Sequence, residues 1–247
     1  MNDKLLIIYY HEVVEEGHGF SYQKIEKSKF NKQMKYLHDK GYKTLFFSEL
    51  TKKLPDKALI VSFDDGFRTV YENAAPIMKK YGIKGNIYLP TAYIDNNNYF
   101  MTWKMVQELY ESKQFEMQAH THNHKDIRTL DKKTMSDEIV KSHLLFKKKL
   151  GYLPETFCMP FGTYDHKSTE LLRKSKQYNY ILGSYYGHIK EKKLKTNILP
   201  RIGISNDDDI KIFKDKLEGK YDWKGPLQRM RLLLQNIKHD RITEYKF

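Results

Sequence analysis

Short runs of apolar, β-branched or aromatic residues alternate along this chain with longer segments whose apolar positions recur every three or four residues. The short runs predict strands at Leu5 to Tyr10, Thr44 to Phe47, Ala58 to Phe63, Gly85 to Leu89, Phe115 to Ala119, Thr156 to Met159 and Tyr180 to Ser184. The longer segments predict helices at Lys27 to Lys40, Thr69 to Tyr81, Thr102 to Ser112, Lys132 to Leu150 and Lys167 to Lys176. Gly41, Gly82 and Gly151 sit where three of these helices must end and turn toward the next strand. Strand then helix, repeated, predicts an α/β fold with a parallel sheet, and seven strand candidates suit closure into a barrel. No Ser, Gly or Pro-rich linker and no internal repeat divides the chain, so residues 1–247 are read as a single domain. Near the end, Pro226 to Lys238 places Leu227, Met230, Leu234 and Ile237 at helical spacing among Arg229, Arg231 and Lys238. That pattern predicts a helix closing the barrel edge in preference to one lying on a membrane surface.

Composition narrows the class. The 247 residues carry 44 Lys and Arg against 31 Asp and Glu, a net charge of +13, yet 40% are hydrophobic and 14% aromatic. A chain so rich in apolar material is no disordered polycation and can bury a substantial core. Cys158 is the only cysteine, which excludes an intramolecular disulfide framework. Lys outnumbers Arg 37 to 7, and no zinc finger, basic heptad or ribonucleoprotein-type motif is present, so nucleic acid is not the expected partner. The charge reads as a solvated Lys-rich surface, with peripheral association to an anionic membrane or glycan as the alternative. Leu5 to Tyr10 is too short for a transmembrane span or an export signal. The expectation is a cytoplasmic or membrane-peripheral protein, or an extracellular one if a leader precedes Met1. Oligomeric state is open.

Two constellations carry candidate chemistry. In Val61-Ser62-Phe63-Asp64-Asp65-Gly66-Phe67 an apolar strand runs into two adjacent carboxylates, whose mutual repulsion calls for a cation nearby. In His120-Thr121-His122-Asn123-His124 three of the ten histidines fall within five residues. One helical turn would put His120 and His124 on one face, and Asp64 or Asp65 would complete a His-His-carboxylate set for zinc or another divalent metal. No Glu follows the first His, so this is not the metalloprotease pattern. His11 and Pro160-Phe161-Gly162 follow two further strand candidates. All four groups therefore stand at strand C-terminal ends, which share one face of an α/β barrel.

Ser-Phe-Asp-Asp-Gly, then His-Thr-x-x-His, then Met-Pro-Phe-Gly, in this order, resemble the polysaccharide deacetylase family, the NodB-homology domain of carbohydrate esterase family four. The resemblance runs from about Leu5 to Ile204, leaving 205–247 as a C-terminal helical segment. It implies a distorted (β/α) barrel that removes N-acetyl or O-acetyl groups from sugars with a divalent metal, Zn foremost, with Co, Ni or Fe as alternatives. It makes Asp64 the general base and gives Asp65, His120 and His124 to the metal. Two positions depart from the family pattern: Cys158 stands where an Arg is usual, and Phe161 where a Tyr is usual. The late motif with a catalytic His is not evident, and His188 is isolated in a polar stretch. Tyr9-Tyr10-His11-Glu12-Val13 instead resembles the start of the branch that deacetylates poly-β-1,6-N-acetylglucosamine, in which an N-terminal His supplies the acid. Arg201, in Leu199-Pro200-Arg201-Ile202, also resembles that branch and could replace the missing Arg beside Asp64.

These assignments imply a mechanism in which Asp64 takes a proton from attacking water, a backbone N–H near Phe161 helps hold the oxyanion, and His11 protonates the leaving amine. Trp103 and Tyr88 are read as core residues or as a stacking wall for a sugar, and His122 as exposed or supporting. The expected substrate is an N-acetylated amino sugar in a polysaccharide such as poly-N-acetylglucosamine. A lipid-linked sugar precursor is the alternative substrate, and a binding module that has lost turnover the alternative class.

Overall fold

The structure is a computed structural model that describes residues 4–17, 21–50, 53–195 and 198–238. Its strands are β1 (Lys4–Tyr10), β2 (Glu12–Val14), β3 (Lys24–Glu26), β4 (Lys43–Thr44), β5 (Ala58–Phe63), β6 (Gly85–Leu89), β7 (Phe115–Ala119), β8 (Thr156–Cys158), β9 (Tyr180–Leu182), β10 (Ile189–Lys190) and β11 (Ile202–Gly203). The α-helices are α1 (Lys27–Asp39), α2 (Ala75–Lys80), α3 (Trp103–Glu111), α4 (Lys132–Leu150), α5 (His166–Ser175), α6 (Ile210–Leu217) and α7 (Lys224–Lys238).

The strands curl in the order β1-β5-β6-β7-β8-β9, all parallel, with the short β10 antiparallel on β1 and β4 parallel on β5. Residues 199–204 span the gap between the last strand and the first. Leu199 N–H donates to Ile181 O at 2.8 Å and Gly183 N–H to Leu199 O at 3.0 Å, while β11 pairs Ile202 with Ile8 and Gly203 with Tyr9. The fold is a distorted (β/α) barrel closed by this segment.

Alternation along the strands decides what points where. Leu6, Ile8 and Tyr10 of β1 and Leu59, Val61 and Phe63 of β5 pack outward with Phe30, Met34 and Leu37 of α1 in one large cluster. Leu5 and Ile7, Ala58 and Ile60, Tyr88, Cys158, Leu182 and Leu199 form a second cluster inside the barrel. Because side chains in a strand alternate with a period of two, continuing the inner set past the strand ends aims His11, Asp64 and His120 at the same interior mouth.

Three expectations need correction. The strand expected at Thr44 to Phe47 is only Lys43–Thr44, because Phe46 N–H donates to Glu49 Oε2 at 2.9 Å and starts a tight helical turn at Phe47–Glu49. The helix expected at Thr69 to Tyr81 opens with a wide π turn, Val70–Ala74, ahead of Pro76, which has no N–H to give to the carbonyl four residues back. The C-terminal helix forms, but Leu227, Met230 and Leu234 are each more than half exposed, so that row does not close the barrel edge. The helix docks at its start instead: Tyr186 N–H donates to Gln228 Oε1 at 2.8 Å, and a Cβ on Gly225 would lie 2.1 Å from Tyr186 O. The side chain of Ile237 lies outside the described residues. Among those residues, no helix is long and apolar enough to cross a membrane.

Candidate active site

Asp64 and Asp65 leave β5 in different directions and acquire different partners. The Arg201 guanidinium grips Asp64 bidentately, Nη1 to Oδ1 at 2.7 Å and Nη2 to Oδ2 at 2.8 Å, and its Nε–H donates to Gly183 O at 3.0 Å. Tyr9 and Tyr88 flank the guanidinium, with ring centroids 4.4 and 5.5 Å from Cζ. Arg201 is 1% exposed, and burial that deep requires a matched anion. Burial pushes the Asp64 carboxyl up, but the charge and hydrogen bonds of Arg201 outweigh it and hold the group below the usual carboxylate range. Cys158 lies with Sγ 3.9 Å from Asp64 Oδ2, and burial pushes its thiol up, so it stays a neutral thiol beside the pair.

Asp65 takes φ 70°, a left-handed conformation that turns its side chain away from Asp64 and toward the histidines. Its Oδ1 lies 3.2 Å from His124 Nε2 and 3.4 Å from His120 Nε2, buried and without a hydrogen bond of acceptable geometry to either. His120 donates its Nδ1–H to Cys158 O at 2.8 Å, which points Nε2 at Asp65. Burial lowers the pKa of this ring, but Cys158 and the carboxylates of Asp65 and Asp64 outweigh it and hold the group well above the usual histidine range, so a metal there would replace the Nε2 proton. Burial pushes His124 down to about 4, so that ring is neutral near pH 7. Asp65 Oδ1 stands 3.2 and 3.4 Å from the two imidazole nitrogens, and one donor atom from each of the three residues lies within 4.8 Å of the others, spacings close to the edge of a tetrahedron with metal–ligand bonds of about 2.0–2.1 Å, as zinc makes with imidazole and carboxylate. The residues therefore fit a divalent metal. Asp64, His120 and Cys158 are a second close group, but Asp64 is committed to Arg201 and the thiol is protonated.

His120 and His124 do not share a helical turn as their spacing predicted. Residues 120–124 form a loop in which Thr121 and His124 have φ 63° and 53°. Glu138 of α4 holds that loop: Oε2 accepts from His122 N–H at 2.9 Å and Asn123 N–H at 2.7 Å, and Oε1 accepts from Asn123 Nδ2 at 2.7 Å. Sequence reading missed Glu138. Its signal was a carboxylate on the apolar stripe of a helix, between Met135 and Ile139, where an acid is buried only if it is satisfied. Four of the eight non-glycine residues with positive φ among the described residues, Asp65, Thr121, His124 and Phe161, surround this one site. Such conformations persist where the surroundings over-determine them.

The remaining sequence candidates fall as follows. His11, Asp64, His120, His124, Phe161 and Arg201 line one pocket of about 250 Å³. His11 Nε2 is 4.0 Å from Asp65 Oδ2, with Tyr9 edge-on at 5.6 Å. The Phe161 ring lies 4.7 Å from that of His124, in a turn at Pro160–Gly162 that only glycine can finish: a Cβ on Gly162, which has φ +65°, would meet Ser184 Cβ at 2.2 Å. Trp103 and Tyr88 are 5% and 0% exposed and are core, not a wall for sugar. His122 Nδ1 pairs with Thr91 Oγ1 at 2.9 Å. His188 lies in another cavity, where Nδ1 meets Asp222 Oδ2 at 2.8 Å.

Comparison with known proteins bears on the same residues. A family model described as polysaccharide deacetylase matches residues 51–180. The chain is 28% identical over 186 residues to the YxkH protein of Bacillus subtilis, covering 73% of this chain and 63% of that one. It therefore spans less than two thirds of that relative's length. It is 27% identical over 222 residues to the poly-β-1,6-N-acetyl-D-glucosamine N-deacetylase of Staphylococcus aureus, covering 81% of this chain and 73% of the relative. The crystal structure of a Bacillus cereus polysaccharide deacetylase superimposes with a TM-score of 0.78 at 21% identity, over 87% of this chain and 69% of that one, which establishes the shared fold.

Proposed function

The chain belongs to the polysaccharide deacetylase family, and from that premise we propose that it hydrolyses N-acetyl groups from N-acetylated amino sugars in a glycan such as poly-β-1,6-N-acetylglucosamine. The observation that carries this reading is that His120 and His124 of a metal-fitting set completed by Asp65 line the same pocket as an Arg-clamped carboxylate, Asp64. The 27% identity to the Staphylococcus aureus enzyme over most of this chain supports the choice of glycan.

A divalent metal bound by Asp65, His120 and His124 would supply Lewis acidity toward the acetamide carbonyl and toward water. The protein's own groups do the rest. Asp64 accepts the proton of the attacking water on the carboxylate lone pairs that Arg201 leaves unused, and Arg201 keeps that carboxylate ionised and fixed. Phe161 lines the pocket with its ring against His124, and its backbone N–H is the donor assigned to the developing oxyanion. His11 protonates the departing amine; its place at the pocket mouth, 16% exposed, lets it exchange protons with solvent. The bond broken is the amide C–N, the bond formed is C–O, and the products are acetate and the sugar amine.

The direct test measures acetate release from β-1,6-linked N-acetylglucosamine oligomers by zinc- or cobalt-loaded protein, with Asp64→Asn as control. Loss of release in the variant supports the reading; no acetate from any N-acetylated glycan by the wild-type, metal-loaded protein overturns it. A lipid-linked sugar is the second substrate reading, favoured by the exposed Leu227, Met230 and Leu234 beside Arg229 and Arg231 on α7. Absence of salt-sensitive flotation with anionic liposomes removes it.

A further inference from the structure

The catalytic pocket does not end at the metal-binding set. Phe161, Gly162 and Ser184 line both it and a second cavity of about 170 Å³, and Tyr185 and Arg229 line both that cavity and a third of about 600 Å³. Shared lining residues place the three side by side, from Asp64 past Gly162 and Ser184 to Arg229 and Met230 of α7, and we treat them as one groove. Its lining is tightly packed, since Gly162 has no room for a Cβ against Ser184 and Gly225 none against Tyr186 O. The groove is therefore built before any ligand arrives.

Its charge is one-sided at the junction. Arg229 stands over the Tyr185 ring, 5.5 Å from the centroid, and hydrogen-bonds the Tyr164 hydroxyl. Arg231 lines the middle cavity beside it. Among the described residues neither arginine has a carboxylate within ion-pair distance, and the acid of the third cavity, Asp222, is engaged by His188. The chain has seven arginines, and two of them stand here with no ion-pair partner among the described residues.

Resting on the proposed deacetylase reading, we propose that this groove is a subsite for the sugars flanking the reactive one, and that Arg229 makes it accept N-acetylated or anionic sugars and reject the free amine. An acetamide is neutral and can stack on Tyr185 or accept from the guanidinium. The product amine is an ammonium, and a like charge about 6 Å away disfavours it by roughly threefold in a water-exposed groove at low salt. Each deacetylated sugar thereby weakens binding of any register that places it in the groove. The enzyme leaves spaced, not clustered, amines along the polymer.

The test uses β-1,6-linked N-acetylglucosamine pentamers that are fully acetylated or carry one free amine at a defined position on either side of the reactive sugar. Acetate release is measured alongside binding to metal-free protein at low salt. Wild type should prefer the acetylated neighbour about threefold on one side only. Arg229→Lys should keep the preference, and Arg229→Glu should reverse it, with the effect shrinking in both as salt rises. Equal preference in wild type and Arg229→Glu, in turnover or in binding, overturns the subsite. If wild type releases no acetate from the fully acetylated pentamer, the deacetylase reading fails; the binding comparison still decides whether the groove discriminates charge. Thermal melts of both variants matching wild type exclude misfolding as the cause.

Discussion

Arg201 reaches Asp64 across 137 positions of sequence and binds both of its carboxylate oxygens, in a site where neither side chain meets appreciable solvent. Cys158, at the position where the family usually has Arg, lies 3.9 Å from the same carboxylate. The guanidinium is thus supplied from a different strand end, and a neutral thiol fills the place it left.

Removing that guanidinium should be costly and should change the pH profile. Arg201→Met leaves a buried carboxylate unpaired, expected to destabilise the fold by about 3–5 kcal/mol in urea titrations. With Arg201 gone, burial, the largest influence on Asp64, raises its pKa against only the smaller opposing pull of His120 and His11. The wild-type carboxylate is ionised until the pH falls below the usual carboxylate range. In the variant, the acid limb of kcat/KM against pH should therefore move to higher pH. An unmoved limb would remove Asp64 as the group that limb reports.

Stability of the metal-free protein should fall with acidification in a defined window. His124 titrates near 4 in the folded chain and near 6.5 when unfolded, so the unfolded state binds the extra proton between those values. Its contribution is complete above about 6.5 and is lost as pH drops toward 4, at most about 3 kcal/mol. Chemical denaturation of the apo-protein at successive pH values should show this slope, reduced in His124→Asn. Equal slopes in the two proteins would assign the loss to other groups.

Glu138 acts on the metal-fitting set of Asp65, His120 and His124 without touching it. Glu138→Ala frees the backbone of His122 and Asn123 and lets the loop leave the left-handed conformations at Thr121 and His124. Zinc affinity, measured by chelator competition, is expected to fall about tenfold. Glu138→Gln, which can accept but carries no charge, should fall less. Chelation of the wild type should abolish acetate release and lower the melting temperature, since metal binds only the folded state.

The two part-buried candidates for the acid separate by position. His11 lines the catalytic pocket, whereas His188 lies at Asp222 in the cavity under α7. His11→Ala should lower kcat about 10²–10⁴-fold with little change in KM. His188→Ala should leave kcat nearly unchanged and cost about 1 kcal/mol of stability through its lost hydrogen bonds. Equal, small kinetic effects would take the acid role from His11.

What was legible in the sequence was local. Short apolar runs located β1, β5, β6, β7, β8 and β9, because a strand buried on both faces is apolar along most of its length. Their places just after strand C-terminal ends made Asp64, His120 and His11 neighbours on one face, and their residue types gave the chemistry. Two-residue strands such as β11 left no periodic trace, since pairing with β1 and the 181–183 edge, not their own side chains, creates them.

The tertiary structure decided the rest. Arg201 meets Asp64 because residues 199–204 close the barrel; Leu199-Pro200-Arg201-Ile202 suggested that contact only through a family resemblance, and its bidentate geometry comes from the closure. The histidines converge through left-handed residues held by Glu138, which spacing alone read as a helical turn. The apolar row of α7 faces solvent because the close fit of Gly225 to Tyr186 sets how the helix docks, whatever its own periodicity suggests. Sequence specifies conformations whose causes lie within a few residues. Contacts that depend on closing a sheet across the whole chain are fixed only when every strand is in register.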